Sequence, residues 1–190
     1  MEQLLGIFTA FGLSASAGLN AYIPLLVVGT IAHYTDWLVL SDPWDLLANP
    51  WVLIVLGILV IIEMLADKIP VVNHINDVIQ TFVRPTAGAI AFAASAKVIT
   101  DVHPVLALIC GLLVAGSVHA VKSVAVRPAV TATTGGVGNV PVSIAEDIVS
   151  TIMSILAIVI PIIVAVLLIL MIVLFFVWRQ RRRERADQRI

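Results

Sequence analysis

The stretch IAEDIVSTIMSILAIVIPIIVAVLLILMIVLFFVW, residues 144–178, decides the class of fold because it is almost continuously apolar. As one helix it would be about 50 Å long, whereas the hydrocarbon core of a bilayer is about 30 Å thick. Pro161 lies near its middle. The stretch therefore predicts either one kinked transmembrane helix that protrudes into water or two short crossings that turn at Pro161.

Composition extends this membrane interpretation to the whole chain. Of its 190 residues 61% are hydrophobic and only 12% are charged, with a mean hydropathy of +1.10. About a quarter of the residues of soluble domains are charged, so this chain has too few charged residues to cover a water-facing surface. Arginines are concentrated at residues 179–190, and no comparable basic stretch argues for nucleic acid as a partner. The single cysteine, Cys110, excludes an intrachain disulfide and a cysteine-based metal site.

Four other apolar runs precede that stretch, at residues 4–32, 51–66, 85–100 and 104–121. The first has no basic segment before it, so we expect a retained helix rather than a signal peptide. Asn49-Pro50 predicts the start of the second, with Asn49 as the cap. We therefore predict an all-α, polytopic transmembrane helical bundle with five to six crossings. Residues 1–178 would form one domain and residues 179–190 a basic cytoplasmic tail.

Loop charges predict the orientation in the membrane. The segment 33–49 carries Asp36, Asp42 and Asp45 but no lysine or arginine, so we expect it outside. The arginines of 179–190 should face the cytoplasm. We therefore expect a multi-pass protein of the cell (inner) membrane with a cytoplasmic C-terminus. An inside N-terminus then requires six crossings with a turn at Pro161. Five crossings with the N-terminus outside is the alternative.

The segment VVNHINDVIQTFV, residues 71–83, separates apolar from polar residues at helical spacing. We expect an amphipathic helix that lies at the membrane interface or re-enters the bundle, and that ends at the Arg84-Pro85 step. The apolar side carries Val72, Ile75, Ile79 and Phe82, and the polar side carries Asn73, Asp77 and Gln80.

Several of these segments resemble one family. GLSASAGLNAYIPLLVVG (12–29), EMLADKIPVVNHINDVIQTFVRPTAG (63–88), the pair His119 and Lys122, and AEDI (145–148) resemble the bacterial and plastid membrane family catalogued as domain of unknown function 4126. The resemblance implies a membrane fold and brings no activity with it.

Ionisable residues inside apolar runs are the candidate functional residues. A lone charge in hydrocarbon costs from about 3 to above 10 kcal/mol, so such side chains face protein or water. Glu63 and Asp67 are four residues apart on one helical face, with Lys68 next to them. They predict a carboxylate pair that binds a proton or a cation. Alternatively, Glu63 pairs with a group on another helix, for which Lys97, His119 and Asn20 are candidates.

Other residues extend this candidate binding site or ion pathway, each with a plainer alternative. Asn73, His74 and Asp77, with Glu63 and Asp67, could hold a proton or a hard metal ion, or they could form a solvated face. The sequence does not identify a metal for this site. Arg84 and Arg127 are possible anion contacts or lipid anchors. The remaining members of the site are Asn20, Lys97, His119 and Lys122, and Glu146 could join them.

Two local patterns have conformational explanations. Ser143-Ile144-Ala145-Glu146 fits a capping box, which predicts a helix that begins at Ser143 and explains Glu146 and Asp147 without a function. TATTGGVGN, residues 131–139, is typical of a flexible loop.

The function predicted from these features is transport or permeation of a small solute or ion through membrane-embedded carboxylates. A structural or assembly subunit of a larger membrane complex is one alternative, and a membrane enzyme acting on lipid head groups is another. The sequence contains no nucleophile elbow, phosphate-binding loop or zinc-enzyme motif, so we assign no catalytic residue and no cofactor. Expected partners are the lipid bilayer and further copies of the chain or a larger complex.

Overall fold

The computed structural model describes residues 2–99 and 102–161 and positions 163, 166, 169, 170 and 172–174, with the side chains of 2–4, 70–75 and 96–99 outside the description. These residues form helices and no strand, as predicted. A 3₁₀ turn covers Trp44–Ala48 and a π turn covers Lys122–Val126. The α-helices are α1 (Glu2–Leu19), α2 (Tyr22–Tyr34), α3 (Pro50–Ala66), α4 (Pro70–Ile99), α5 (Pro104–Val121), α6 (Arg127–Thr134) and α7 (Asn139–Val159).

The predicted start of α3 is confirmed. The Asn49 side chain accepts a hydrogen bond of 2.9 Å from the backbone N–H of Trp51, and Pro50 occupies the first helical position. Proline fits there because its missing N–H would have had no partner inside the helix.

The apolar run 4–32, predicted as one helix, is instead divided at Asn20-Ala21 into α1 and α2. Pro24 has no N–H, so the backbone carbonyl of Asn20 loses its donor inside a continuous helix. The Asn20 side chain accepts from the N–H groups of Tyr22 and Ile23 at 3.1 and 3.2 Å and caps a new helix there. Hydrophobicity gave no sign of this break, because the residues on both sides are equally apolar.

The chain reverses its direction at this break. Along α1, Thr9 contacts Ala157 while Asn20 contacts Asp147, so α1 is antiparallel to α7. At its far end, α2 approaches the 3₁₀ turn, where His33 bonds to the carbonyl of Ala48. Trp44 in that turn packs against the cluster that includes Ala10 of α1. Helices α1 and α2 therefore form a hairpin whose tip, Asn20-Ala21, is buried within the bundle.

Helix α4 continues through Pro85 for 30 residues, so the predicted helix end at Arg84 is wrong. The predicted amphipathic helix is present as its first part, and it merges with the apolar run 85–100. Its polar side faces protein: Gln80 is buried, whereas Phe82 is 74% exposed. Arg84 is fully buried and Pro85 lies beside Gly116 of α5, so α4 packs against protein at this step. Packing against neighbouring helices is one way in which a membrane helix accommodates a proline.

Two further helix boundaries differ from expectation. The run predicted to end near Val121 continues through the π turn and α6 to Thr134, so part of the predicted 131–139 loop is helical. Helix α7 begins at Asn139, so the predicted capping box at Ser143 is wrong. Helix α7 does end before Pro161: Ile160 has φ −140° and ψ 69°, outside the helical region. The described positions beyond it are helical again.

Small residues let α1, α4 and α5 approach one another closely. The Ser14 hydroxyl donates to the carbonyl of Gly111 at 2.7 Å. A Cβ added at Gly111 would lie 2.7 Å from the Cα of Ala89, so only glycine fits at that crossing. Close approach of this kind is typical of helix packing in membranes.

Much of the protein surface is apolar, whereas several of its charged side chains are internal. Trp51 and Val124 are each 76% exposed, whereas Arg84 is fully buried and Glu63 is 2% exposed. Among the described residues, two helical segments are long and apolar enough to cross a bilayer, Pro104–Thr134 and Asn139–Val159. These features suggest a membrane protein, since monomeric soluble proteins rarely expose large contiguous apolar patches.

Candidate functional site

The tip of the α1–α2 hairpin is capped by ionisable side chains. The Glu63 carboxylate accepts from the backbone N–H of Ala21 at 3.2 Å, at the start of α2. The Lys122 ammonium donates to the backbone carbonyl of Leu19 at 3.1 Å, at the end of α1. Helix ends leave backbone groups without partners, with a positive helix N-terminus and a negative C-terminus. Both charges at the tip therefore have the favourable sign.

Arg84 is the basic partner of Glu63. Its Nε and Nη2 donate to Glu63 Oε1 at 3.2 and 2.9 Å. Its Nη1 lies 3.3 Å from Nδ1 of His119, whose other ring nitrogen lies 3.2 Å from the hydroxyl of Thr81. An arginine can only donate, so His119 accepts at Nδ1 and the ring is neutral. Nε, Nη1 and Nη2 of Arg84 therefore all have a hydrogen-bond partner.

Asp67 lies at the end of α3 and binds several cations at once. Arg127 is 2.9 Å away, Arg84 is 3.6 Å away and Lys122 is 3.7 Å away, each measured to Oδ2. Asn76 donates to Oδ1 at 2.8 Å. Burial alone would raise the pKa of Asp67, but the positive charges of Lys122, Arg127 and Arg84 outweigh it and hold the pKa below its ordinary value.

The π turn places Lys122 and Arg127 on the same side of their helix. Residues five apart in an α-helix are about 140° apart around the axis. Here the N–H of Arg127 bonds to the carbonyl of Lys122, the five-residue spacing of a π turn. Both side chains consequently reach Glu146, at 2.7 Å from Lys122 and 3.5 Å from Arg127. Arg127 also pairs with Asp77 at 3.1 Å.

These side chains form one continuous network, which we call the charge cluster. It begins at the hairpin tip and extends towards the connection between α6 and α7. Its members are Glu63, Asp67, Asp77, Arg84, His119, Lys122, Arg127 and Glu146.

A cavity of about 960 Å³ leads to this cluster, and we call it the vestibule. Asp67, Asp77 and Arg127 line it together with Lys68. Its other walls come from α6, from the start of α7 and from the glycines of the 135–138 connection. The volume is within the range of about 300–1,000 Å³ that is usual for small-molecule sites.

With this geometry in place, comparison with known proteins gives a family. Residues 7–181 match the family described as "Domain of unknown function (DUF4126)". The chain belongs to this family. The resemblance seen in the sequence is therefore confirmed, and the family description assigns no activity. No curated protein and no solved structure matches the chain.

In this DUF4126 protein the charge cluster contains most of the residues singled out in the sequence. Glu63, Asp67, Asp77, His119 and Lys122 all belong to it, as do the predicted anion contacts Arg84 and Arg127, whose guanidinium groups face carboxylates. Asn20 lies at the hairpin tip and Lys68 lines the vestibule. The side chains of Asn73, His74 and Lys97 are outside the described set. Among the described residues, no group of three or more His, Cys, Asp or Glu is placed to hold a metal ion.

Sequence reasoning missed two parts of this site. It did not propose Arg84 as the partner of Glu63, because the helix was expected to end there. It also explained Asp147 as a residue of a first helical turn. Asp147 is buried in α7 and accepts from the Asn20 amide at 2.9 Å. An acid within an apolar run, the signal that identified Glu63, applied to Asp147 equally.

Proposed function

We propose that this protein is a multi-pass membrane transporter or channel for a small solute or ion. The observation that carries the proposal is the position of the vestibule. Asp67, Asp77 and Arg127 line it, and Asp67 lies within ion-pair distance of Arg84 and Lys122, which contact the hairpin tip or its cap Glu63. A water-accessible space that ends on buried charges is the arrangement expected of a polar pathway through a bilayer.

The hairpin supports this proposal. In many secondary transporters, substrate and ion sites lie where helices are interrupted within the membrane, because free helix ends offer partial charges there. Here α1 ends and α2 begins beside Glu63 and Lys122. A change in the protonation or pairing of either group would alter the binding of a helix end.

The charge balance of the cluster favours a cation or a proton over an anion. Glu63, Asp67, Asp77 and Glu146 carry carboxylates, whereas three members, Arg84, Lys122 and Arg127, carry positive charges. His119 adds no charge because its Nδ1 accepts from Arg84. Counted without Lys68, which lines the vestibule beside Asp67, the described members of the cluster therefore keep one negative charge that a transported cation or proton would neutralise.

For the topology we propose five crossings and one re-entrant hairpin. The crossings are α3, α4, α5 with its continuation to Thr134, α7, and the segment after Pro161. Because α1–α2 turns back inside the bundle, the N-terminus and the acidic 33–49 segment would both lie on the outer side of the inner membrane. The arginines of 179–190 would lie in the cytoplasm, in agreement with the bias of basic residues towards that side.

The test is flux through the purified protein in liposomes, measured for H⁺ with an enclosed pH-sensitive dye and for Na⁺ and K⁺ with an imposed gradient. The variant Asp77→Asn keeps the size of a side chain that lines the vestibule and removes its charge. We expect flux above that of empty liposomes for the wild type and a loss of most of it in Asp77→Asn. Asp45→Asn, an exposed carboxylate of the 3₁₀ turn, is the matched control and should keep the wild-type rate. Absence of flux for all three ions in the wild type would contradict transport and favour a structural subunit.

A further inference from the structure

A second cavity lies between α2, α3 and α7 and shares no residue with the vestibule. It is a groove of about 360 Å³. Its walls are aliphatic apart from Asp147 and Thr151, and include Val60 and Met64 of α3 and Ile148 and Ile152 of α7.

Asp147 has one oxygen occupied and one without a partner. Oδ1 accepts from the Asn20 amide at 2.9 Å. Oδ2 is buried and has no hydrogen-bond partner, and no described lysine, arginine or histidine lies within ion-pair distance of it. Asp67, by contrast, has three cations within 3.7 Å. Asp147 is only 5% exposed and Oδ2 itself is buried, so bulk water does not supply the missing partner.

The surroundings of Asp147 do not by themselves stabilise an ionised carboxylate. The N–H groups at the start of α2 are bound by Asn20 and Glu63, and the groove is lined mainly by aliphatic side chains. A buried carboxylate without a counter-charge is unfavourable. A positively charged hydrogen-bond donor in the groove would supply that counter-charge.

We propose that the groove binds a small organic cation that joins a primary ammonium group to an apolar body. The ammonium would pair with the Asp147 carboxylate, and the apolar body would lie against Val60, Met64 and Ile152. A hard metal ion fits poorly because it needs about six oxygen ligands, and the groove offers one carboxylate and one hydroxyl. A guest anion would be repelled by Asp147.

This inference does not depend on the proposed transport, because the groove and the vestibule have no lining residue in common. Two sources offer a primary ammonium group: a free alkylamine, and a membrane lipid such as phosphatidylethanolamine, whose phosphate would have to stay outside the groove. The test therefore measures binding of n-hexylammonium first in detergent and then in lipid nanodiscs.

Isothermal titration of the purified full chain with n-hexylammonium should give saturable binding with one site. We expect Asp147→Asn to bind at least tenfold more weakly, and 1-hexanol, which lacks the charge, to bind weakly to the wild type. Asp45→Asn and Asp77→Asn should bind like the wild type, which separates this site from the vestibule. If Asp147→Asn does not fold, Val60→Phe provides a second test, since it fills the groove and retains the carboxylate.

Equal affinities of the wild type and Asp147→Asn, or no saturable binding to the wild type, would overturn the proposal whether or not ions are transported. Retained binding in Val60→Phe would overturn it as well. Weaker n-hexylammonium binding in nanodiscs containing phosphatidylethanolamine than in phosphatidylcholine alone would identify the lipid amine as the competing occupant. Equal binding in both would exclude the lipid amine as the occupant and leave a free amine.

Discussion

Glu63 and Arg84 are mutually dependent residues in the middle of an apolar molecule. Glu63 was identifiable from sequence because a carboxylate within an apolar run has few acceptable environments. Its partner was not identifiable, because partner choice depends on the rotation of α4, and that rotation depends on the helix continuing through Pro85. A sequence reveals which charges must be buried more readily than which charges meet.

Removing the charge of Glu63 should destabilise the protein strongly. Glu63→Gln leaves the fully buried Arg84 without its closest counter-charge, a loss that typically costs about 3–5 kcal/mol. Asp67, at 3.6 Å from Arg84, should reduce that cost. We expect a clear fall in the thermal midpoint of the detergent-solubilised protein, and little change in Asp45→Asn. A Glu63→Gln midpoint equal to that of the wild type would show that the pair contributes nothing to stability.

Asp67 should make the stability of the protein depend on acid pH. Its pKa is lowered in the folded state, so its ionised form stabilises the fold above the unfolded pKa of about 3.9. That contribution is lost as the pH falls through the lower, folded pKa. The difference in stability between the wild type and Asp67→Asn should be constant near neutral pH and shrink below about pH 4. A difference that grows with acidification would contradict the lowered pKa.

Among the helices, two glycines illustrate opposite requirements. A Cβ at Gly111 would meet the backbone of α4, whereas one at Gly57 would meet nothing within 4 Å. Gly111→Ala should therefore cost about 1–3 kcal/mol through overpacking. Gly57→Ala should be neutral or stabilising by up to about 1 kcal/mol, because alanine favours a helix more than glycine does. Denaturation of both variants in the same detergent measures this, and an equal effect would contradict the close α4–α5 contact.

The π turn allows a second test at the level of the helix. It accommodates one residue more than an α-turn, so deleting Val124, which is 76% exposed, should give a regular α-helix with Lys122 and Arg127 still on one side. Deleting Leu113, which is 60% exposed and within regular α5, should rotate everything beyond it by about 100°. We expect a monodisperse, folded protein by size exclusion only for the Val124 deletion. If neither deletion variant elutes as a folded, monodisperse protein, the proposed role of the π turn is contradicted.

How well each helix boundary could be predicted depends on whether nearby or distant residues determine it. The start of α3 was predictable because Asn49 and Pro50 act locally. The α1–α2 break was not, because the reversal depends on Glu63 and Lys122, which are distant in sequence and cap the freed backbone groups. Likewise Ser143 has the sequence of a cap but donates to Asp67 at 3.4 Å inside the helix. Tertiary contacts therefore help to fix these two boundaries, although Asn20 and Pro24 also favour the α1–α2 break locally.

For the whole molecule, the distribution of polarity is inverted relative to a soluble protein. Phe82 and Trp51 are exposed, whereas Arg84 and Lys122 are buried. Composition predicted this inversion, and the ionisable residues singled out in the sequence include the members of the charge cluster. The vestibule and the groove could not be predicted, because each cavity depends on how separate helices pack together.

The hairpin gives a definite expectation for topology. Because α1 and α2 run in opposite directions, residues near the N-terminus and the 33–49 segment should face the same side of the membrane, and the arginine-rich tail the other. In a Cys110→Ala background, an impermeant thiol reagent added to intact cells should modify Gln3→Cys and Asp42→Cys but not Gln188→Cys. Permeabilised cells, in which all three positions should react, provide the control. Modification of Asp42→Cys without Gln3→Cys would indicate that residues 4–32 cross the membrane once, and would contradict the re-entrant hairpin on which the proposed pathway depends.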